Sequence, residues 1–150
     1  MNEPESLPSH GDIDVNHSLD EISACKHFLN KSLDEAEALF RKNSLHYQED
    51  LMWMGAVGFR FYINAAIRYV HSEGAEGDSD IVSCLATIFE FRLKHDSSGL
   101  QPIAEPLVRF CSYVVEHFDR FDASPEIYGA LRSRYRALVA TFRDLARDNK

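Results

Sequence analysis

The chain is poor in cysteine, has no long apolar run and carries no overall excess of basic residues, and each absence excludes a class of protein. Its three cysteines, Cys25, Cys84 and Cys111, lie far apart without Cys-x-x-Cys spacing, which argues against a disulfide framework or a zinc site. No apolar run reaches the roughly 18 residues that a membrane span needs. The first residues lack the basic and apolar pattern of a secretory signal. We therefore expect a cytoplasmic protein with no membrane partner.

Sequence motifs for metal, phosphate and nucleophile chemistry are also missing. No Glu has a His three positions later, as di-iron carboxylate bundles require, and His-Glu-x-x-His does not occur. The acidic stretch 76–80 lacks the glycine and ligand spacing of a calcium loop. Gly55 and Gly58 do not form a phosphate-binding motif, and Gly-x-Ser-x-Gly is absent. The sequence predicts no metal site and no cofactor, and it favours a protein that is not an enzyme.

The net charge of −8 is unevenly distributed along the chain. Residues 1–123 carry 10 Lys or Arg and 21 Asp or Glu, whereas residues 124–150 carry 6 basic and 3 acidic residues. The acidic excess argues against nucleic acid or an anionic membrane as the partner of the whole chain. The basic C-terminal region is the local exception.

The apolar periodicity predicts an all-α fold, a single-domain bundle of about six helices. No stretch shows the sustained alternation of a strand. Residues 1–17 are polar, include Pro4, Pro8 and Gly11, and show no helical period, so we expect a flexible tail there. Residues 18–150 are expected to form one helical domain.

Two Ser-Leu-Asp-Glu capping boxes, starting at Ser18 and Ser32, predict two helix starts. The second helix runs toward Asn43, and another helical piece follows over about residues 46–54. Gly55 and Gly58 weaken the helix and predict a bend at which helices pack closely. Residues 57–71 are apolar around most of the helix circumference, which predicts a central, largely buried helix.

The remaining residues predict three further helices separated by short loops. One is expected from about Ser79 to His95, followed by a loop at residues 96–99. Another enters at Pro102 and Pro106 and continues to residue 121. Ser124 and Pro125 then have the order of an N-cap and first helical position. The short gap between these last two helices predicts a C-terminal antiparallel hairpin.

One candidate binding site lies around the Gly55–Gly58 bend. The central helix carries its polar residues in a strip about 80° wide, with a carboxylate pair and a tryptophan just upstream. The two arginines of the strip could grip a carboxylate or phosphate, or they could face water or pair with carboxylates of this chain. The residues of this candidate site are Glu49, Asp50, Trp53, Arg60, Asn64 and Arg68.

A second candidate surface is a basic stripe on the last helix, about 60° wide and beside its apolar face. It could bind an acidic partner protein or, less readily, nucleic acid, since no aromatic platform or helix-turn-helix accompanies it. It could also lie against acidic residues of the preceding helix and turn, such as Glu116, Asp119 and Asp122. The stripe consists of Arg132, Arg136, Arg143 and Arg147.

These patterns favour a small acidic protein-interaction module of the inhibitor, immunity or regulatory type, which binds another protein. The acidic charge suits a basic partner, since opposite charges speed association. The alternative is a small-molecule-binding domain or enzyme with a pocket at the bend that uses Arg60 and Arg68. The apolar stretch 51–54 also raises the hypothesis of a homodimer, with a second subunit covering part of it.

Overall fold

The computed structural model describes residues 6–148, and within this part of the chain the regular structure is entirely helical. The prediction of an all-α bundle is confirmed. Short 3₁₀ turns follow α4, α5 and α6. The α-helices are α1 (His10–Ile13), α2 (Leu19–Phe28), α3 (Leu33–Trp53), α4 (Ala56–His71), α5 (Ser79–Leu100), α6 (Ala104–Glu116), α7 (Pro125–Tyr128) and α8 (Leu131–Arg147).

The chain divides into two compact units, and the boundary falls within α4, between Ala66 and Ile67. In the first unit, α1 packs on α2 and α2 packs on α3. In the second unit, α6 packs along α8, and α5 also contacts α8. The expectation of a single domain over residues 18–150 stays a prediction.

Both predicted serine caps begin helices, but the glutamates that follow them act differently. Ser32 and Glu35 form the full capping box, in which each side chain bonds the other residue's backbone N–H. Ser18 also caps α2 by accepting the N–H of Glu21. The Glu21 carboxylate instead turns back to accept the N–H groups of Val15 and Asn16. It thereby ties the start of α2 to the segment before it.

That preceding segment contains the short helix α1, and the flexible tail expected over residues 1–17 stays a prediction. Residues 1–5 lie outside the described chain, but Ser9 and Asp12 form a capping box at the start of α1. The side chain of Ile13 is fully buried, and its carbonyl accepts the N–H of Gly55 at 2.9 Å. The buried Ile13 side chain, this backbone hydrogen bond and the bonds to Glu21 hold in place a segment that shows no helical period of its own.

Two predicted interruptions are kinks within longer helices. In α3, Asn43 leaves the helical conformation, and its side chain accepts the N–H of His46, where the helix restarts. In α5, Asp96 leaves it in the same way and accepts the N–H of Gly99. The sequence therefore located both breaks, and the Asn and Asp side chains cap the helical turns that follow.

The predicted bend lies between α3 and α4, and close packing explains its glycines. A Cβ added to Gly55 would lie 2.5 Å from the carbonyl oxygen of Asp12, and one on Gly58 would lie 3.0 Å from the side chain of Ile13. The segment around α1 thus lies directly against both glycines. Helix α4 follows with its large apolar side chains mostly buried, including Phe59, Tyr62 and Ile63, Tyr69 and Val70. The prediction of a largely buried helix here is confirmed.

The C-terminal antiparallel hairpin is also confirmed, with different helix ends. The first turn of α6 lies beside the last turn of α8, as Glu105 and Arg147 line the same depression. Helix α6 ends at Glu116, five residues before the predicted end at 121, and a 3₁₀ turn covers Phe118–Phe121. The predicted last helix is divided, since α7 ends at Tyr128 and Gly129 adopts a positive φ. Glycine tolerates this conformation, which lets α8 begin afresh at Leu131.

Candidate functional site

The residues of the candidate site at the bend occupy different environments. Glu49 and Trp53 are exposed on α3, whereas Asp50 is buried. Arg60 is half-buried on α4 and Arg68 is exposed. The side-chain amide of Asn64 donates to the carbonyl oxygens of Arg60 and Phe61 in its own helix. The hypothesis of a ligand pocket formed by these residues stays a prediction.

Asp50 is the buried member of a polar cluster that joins α2 to α3. One of its carboxylate oxygens accepts a hydrogen bond from His27 Nδ1 at 2.6 Å, and the other accepts one from the Ser23 hydroxyl at 3.3 Å. The rings of His46 and Tyr47 pack edge-on against the His27 imidazole. Burial raises the pKa of the Asp50 carboxyl above its ordinary value, while the hydrogen bond from His27 opposes the rise.

Asp50 therefore has hydrogen-bond partners on α2. The carboxylate fixes the orientation of the His27 ring and satisfies a polar group that would otherwise be costly to bury. The sequence did not connect Asp50 with His27, because the two residues are 23 positions apart and no local spacing links them. A histidine inside a short amphipathic helix was the only available signal.

Two successive depressions lie along the α6–α8 pair, each lined by residues of both helices. The first has a volume of about 290 Å³, and Val108 and Ala146 are its apolar lining. The second, of about 180 Å³, has Val115 and Val139 as its apolar lining. Charged residues surround this lining. We call this surface the α6–α8 groove, and its other lining residues are Glu105, Arg109, Ser112, Glu116, Arg136, Arg143 and Arg147.

The predicted basic stripe forms much of the rim of the α6–α8 groove. Arg136 lines the second depression, and Arg143 and Arg147 line the first. Arg132 lies one turn before Arg136, where its Nε donates to the carbonyl oxygen of Val115 and its guanidinium lies 5.9 Å from the Phe118 ring centroid. All four side chains are exposed.

Arg109 of α6 completes this basic rim, and the sequence analysis did not identify it. It lines the first depression with Arg143 and Arg147, although it belongs to the facing helix. Its position along α6 gave no sign of this arrangement, since only the packing of the two helices places Arg109 beside the stripe. In the part of the chain that the structure describes, no carboxylate forms an ion pair with Arg109, Arg136 or Arg143. Arg147 pairs with Asp144 in its own helix at 3.5 Å.

Contacts on the other side of α8 fix the direction in which the basic stripe points. The guanidinium of Arg134 binds the carboxylate of Glu90 on α5, with one N–O distance of 3.0 Å, and also donates to Thr87. The buried hydroxyl of Tyr135 donates to the carbonyl oxygen of Val82. These bonds attach one face of α8 to α5, so the stripe on the adjacent face remains toward solvent.

The groove combines apolar lining residues with a rim in which Arg109, Arg136 and Arg143 form no ion pair with a described carboxylate, which suits a ligand that is both apolar and acidic. Arginine guanidinium groups form charge-assisted, often bidentate, hydrogen bonds to carboxylates. Desolvated apolar side chains at the centre of such a surface would supply most of the binding free energy. The two glutamates, Glu105 and Glu116, restrict where negative groups of a ligand can lie.

The described residues also lack a membrane-spanning helix and a metal-binding cluster. None of their helices has both the length and the apolar character that crossing a bilayer requires. They contain no group of three or more His, Cys, Asp or Glu side chains placed to hold a metal ion. No protein-family model, curated protein or solved structure matches this chain.

Proposed function

We propose that this chain is a cytoplasmic protein-interaction module and that the α6–α8 groove binds an acidic amphipathic helix of a partner protein. The observation that supports this proposal is the groove itself, in which apolar depressions lie beside Arg109, Arg136 and Arg143, none of which forms an ion pair with a described carboxylate. A regulatory or inhibitory role suits a module of this kind, because binding would mask the helix of its partner.

The spacing of the two depressions favours a helical ligand. Val139 and Ala146 lie in successive depressions and are seven residues apart on α8. At a rise of 1.5 Å per residue this is about 10 Å, the distance between positions i and i+7 of a docked helix. Two apolar side chains of a ligand helix, two turns apart, would therefore each enter one depression. Acidic residues beside them would face the arginines.

The charge distribution favours an acidic protein over nucleic acid. The chain has a net charge of −8, which would repel a polyanion as it approached. Glu105 and Glu116 also interrupt the basic rim, and a continuous phosphate backbone would have to pass close to them. A short helix can instead place its carboxylates opposite the arginines alone.

The proposal is tested by fluorescence anisotropy with a labelled amphipathic peptide that has Leu at i, i+3, i+4 and i+7 and Glu at most other positions. We expect saturable binding to the full chain that weakens as salt is added. The Arg136→Glu/Arg143→Glu variant should weaken binding at least about tenfold, the change that 1.4 kcal/mol produces. Both side chains are exposed, so the variant should fold.

Two controls separate groove binding from general charge attraction. The Lys42→Glu/Lys94→Glu variant changes the net charge equally at exposed positions outside the groove, and it should bind like the native chain. A peptide with Lys in place of Glu should not bind. Equal weakening by both double variants, or no saturable binding of the acidic peptide, would contradict the proposed function.

A further inference from the structure

Exposed apolar side chains occur in the first unit just before α2, at the start of α2 and on either side of the bend. Val15 contacts the backbone at Gly55, as its Cγ2 would lie 2.6 Å from a Cβ built there. Two residues to either side of Gly55 are Trp53 and Val57, which are both exposed, as is Val15. Leu19 and Ile22 follow on α2, and Leu19 is 86% exposed. We call Val15, Leu19, Ile22, Trp53 and Val57 the bend patch.

The bend patch occurs on an acidic part of the chain. Residues 1–66 contain five Lys or Arg and eleven Asp or Glu, which gives them a charge of −6. Asp20 is exposed next to Leu19, and Glu49 is exposed one turn before Trp53. Leu19 and Ile22 are separated by three positions on α2, so both project from one side of an exposed helix start. The patch thus presents apolar side chains on a helix among carboxylates.

This chemistry is the complement of the α6–α8 groove, whose apolar depressions are bordered by arginines. The two surfaces belong to the same chain, and both are exposed in it. We propose that the bend patch of one copy docks into the α6–α8 groove of a second copy, with Leu19 and Ile22 entering a depression and Asp20 facing Arg136 or Arg143. This inference rests on the proposed function of the groove and names a second copy of the chain as an occupant.

The contact joins two different surfaces, so it is heterologous and leaves one patch and one groove open in each dimer. Such contacts grow into rings or chains rather than stopping at two subunits. An acidic helix from a partner protein would compete with the bend patch for the groove. Self-association would therefore be relieved by partner binding.

The test is the mass of the full chain by sedimentation velocity over a range of concentrations at low and high salt. The native chain should show a weight-average mass that rises with concentration at low salt. A patch variant, Leu19→Lys/Ile22→Lys, and the groove variant, Arg136→Glu/Arg143→Glu, should each remain monomeric alone. Mixed together, they should form a dimer of one copy each and nothing larger, because the patch variant supplies a groove and the groove variant supplies a patch.

Several outcomes would overturn this inference. A native chain that stays monomeric at every concentration would do so. Self-association of the groove variant at the native level would also do so, because the patches would then pair with each other.

Anisotropy of the acidic peptide with the monomeric patch variant distinguishes this inference from the proposed function of the groove. Peptide binding without self-association removes only this inference, whereas loss of both removes the proposed function as well. Circular dichroism spectra matching the native chain establish that the variants are folded.

Discussion

At the scale of single residues, Asp50 is a buried carboxylate whose pKa depends on its burial and on hydrogen bonds from another helix. It is 6% exposed, and its hydrogen bonds come from Ser23 and His27 on α2. Burial raises the pKa of Asp50, so ionisation at neutral pH costs folding free energy that the His27 hydrogen bond partly offsets. The histidine is therefore a structural partner of the carboxylate.

Replacement of His27 by Ala should destabilise the fold by about 1–3 kcal/mol at neutral pH, the cost of a buried polar group left without its partner. The raised pKa means that stability is lost as pH rises through the folded-state value. The loss caused by His27→Ala should therefore be larger at about pH 8 than at about pH 4, near the ordinary pKa of Asp. Urea unfolding followed by circular dichroism measures it. Adding Asp50→Asn should restore part of the stability at pH 8, and no restoration would contradict this account.

The hydroxyl group of Tyr62 links α4 to the C-terminal end of α2 within the first unit. The hydroxyl lies 2.7 Å from the carbonyl oxygen of Phe28, the last residue of α2, and 2.8 Å from that of Lys31, so its single proton is shared between the two acceptors. Burial raises the pKa of Tyr62 to about 12. Ionisation would remove the donor and place a charge in the core.

The stability of the native chain should fall as pH rises from about 10 to about 12. An unfolded tyrosine ionises near pH 10, whereas folded Tyr62 holds its proton until about pH 12, so the unfolded state is favoured across this window. Tyr62→Phe should be less stable at pH 8 because a hydrogen-bond donor is lost, yet lose less further stability by pH 11. Urea midpoints at both pH values test this, with Tyr47→Phe as the control that keeps Tyr62. Equal alkaline losses in native chain and Tyr62→Phe would contradict it.

At the scale of elements, α1 shows what the hydrophobic pattern of a sequence leaves out. The long helices were predictable because their apolar residues repeat at helical spacing, and Ser18 and Ser32 marked two of the starts. Helix α1 has only one buried apolar side chain, Ile13, and owes its position to Gly55 and Gly58 far along the chain. Periodicity carries no information on such a contact.

Gly55→Ala should destabilise the first unit, because its Cβ would meet the Asp12 carbonyl oxygen at 2.5 Å. Overpacking of this kind typically costs about 1–3 kcal/mol. Gly11→Ala is the matched control, since Gly11 lies in α1 and nothing stands within 4 Å of its Cβ position. That control should be neutral or slightly stabilising. Unfolding by urea compares the two variants, and an equal effect of both would refute close packing as the role of Gly55.

The C-terminal hairpin illustrates a different limit of sequence reasoning. The four arginines of α8 were found as a stripe from their spacing within one helix, and α6 was found from its own apolar face. Their meeting in one groove depends on the rotation of each helix about its axis when the two pack. Arg109 was missed for this reason, and the depressions beside it had no signal in the sequence.

At the scale of the whole molecule, charge is distributed so that a basic groove occurs on an acidic chain. The net charge of −8 would slow approach of most acidic partners, whereas Arg109, Arg136 and Arg143 attract them locally. Binding in the groove should then depend on salt in two opposing ways. The short-range attraction should dominate the measured affinity, because interactions beyond about 8 Å are screened at physiological ionic strength.

The most direct measurement of the central claim is a titration of the isotope-labelled full chain with the acidic amphipathic peptide, followed by amide chemical shifts. We expect the largest shifts on groove residues such as Val108, Ser112, Val139 and Ala146. These shifts should disappear in the Arg136→Glu/Arg143→Glu variant. Shifts confined to the bend, at residues such as Trp53 and Val57, or no saturable shifts at all, would contradict the claim that the α6–α8 groove is the binding site.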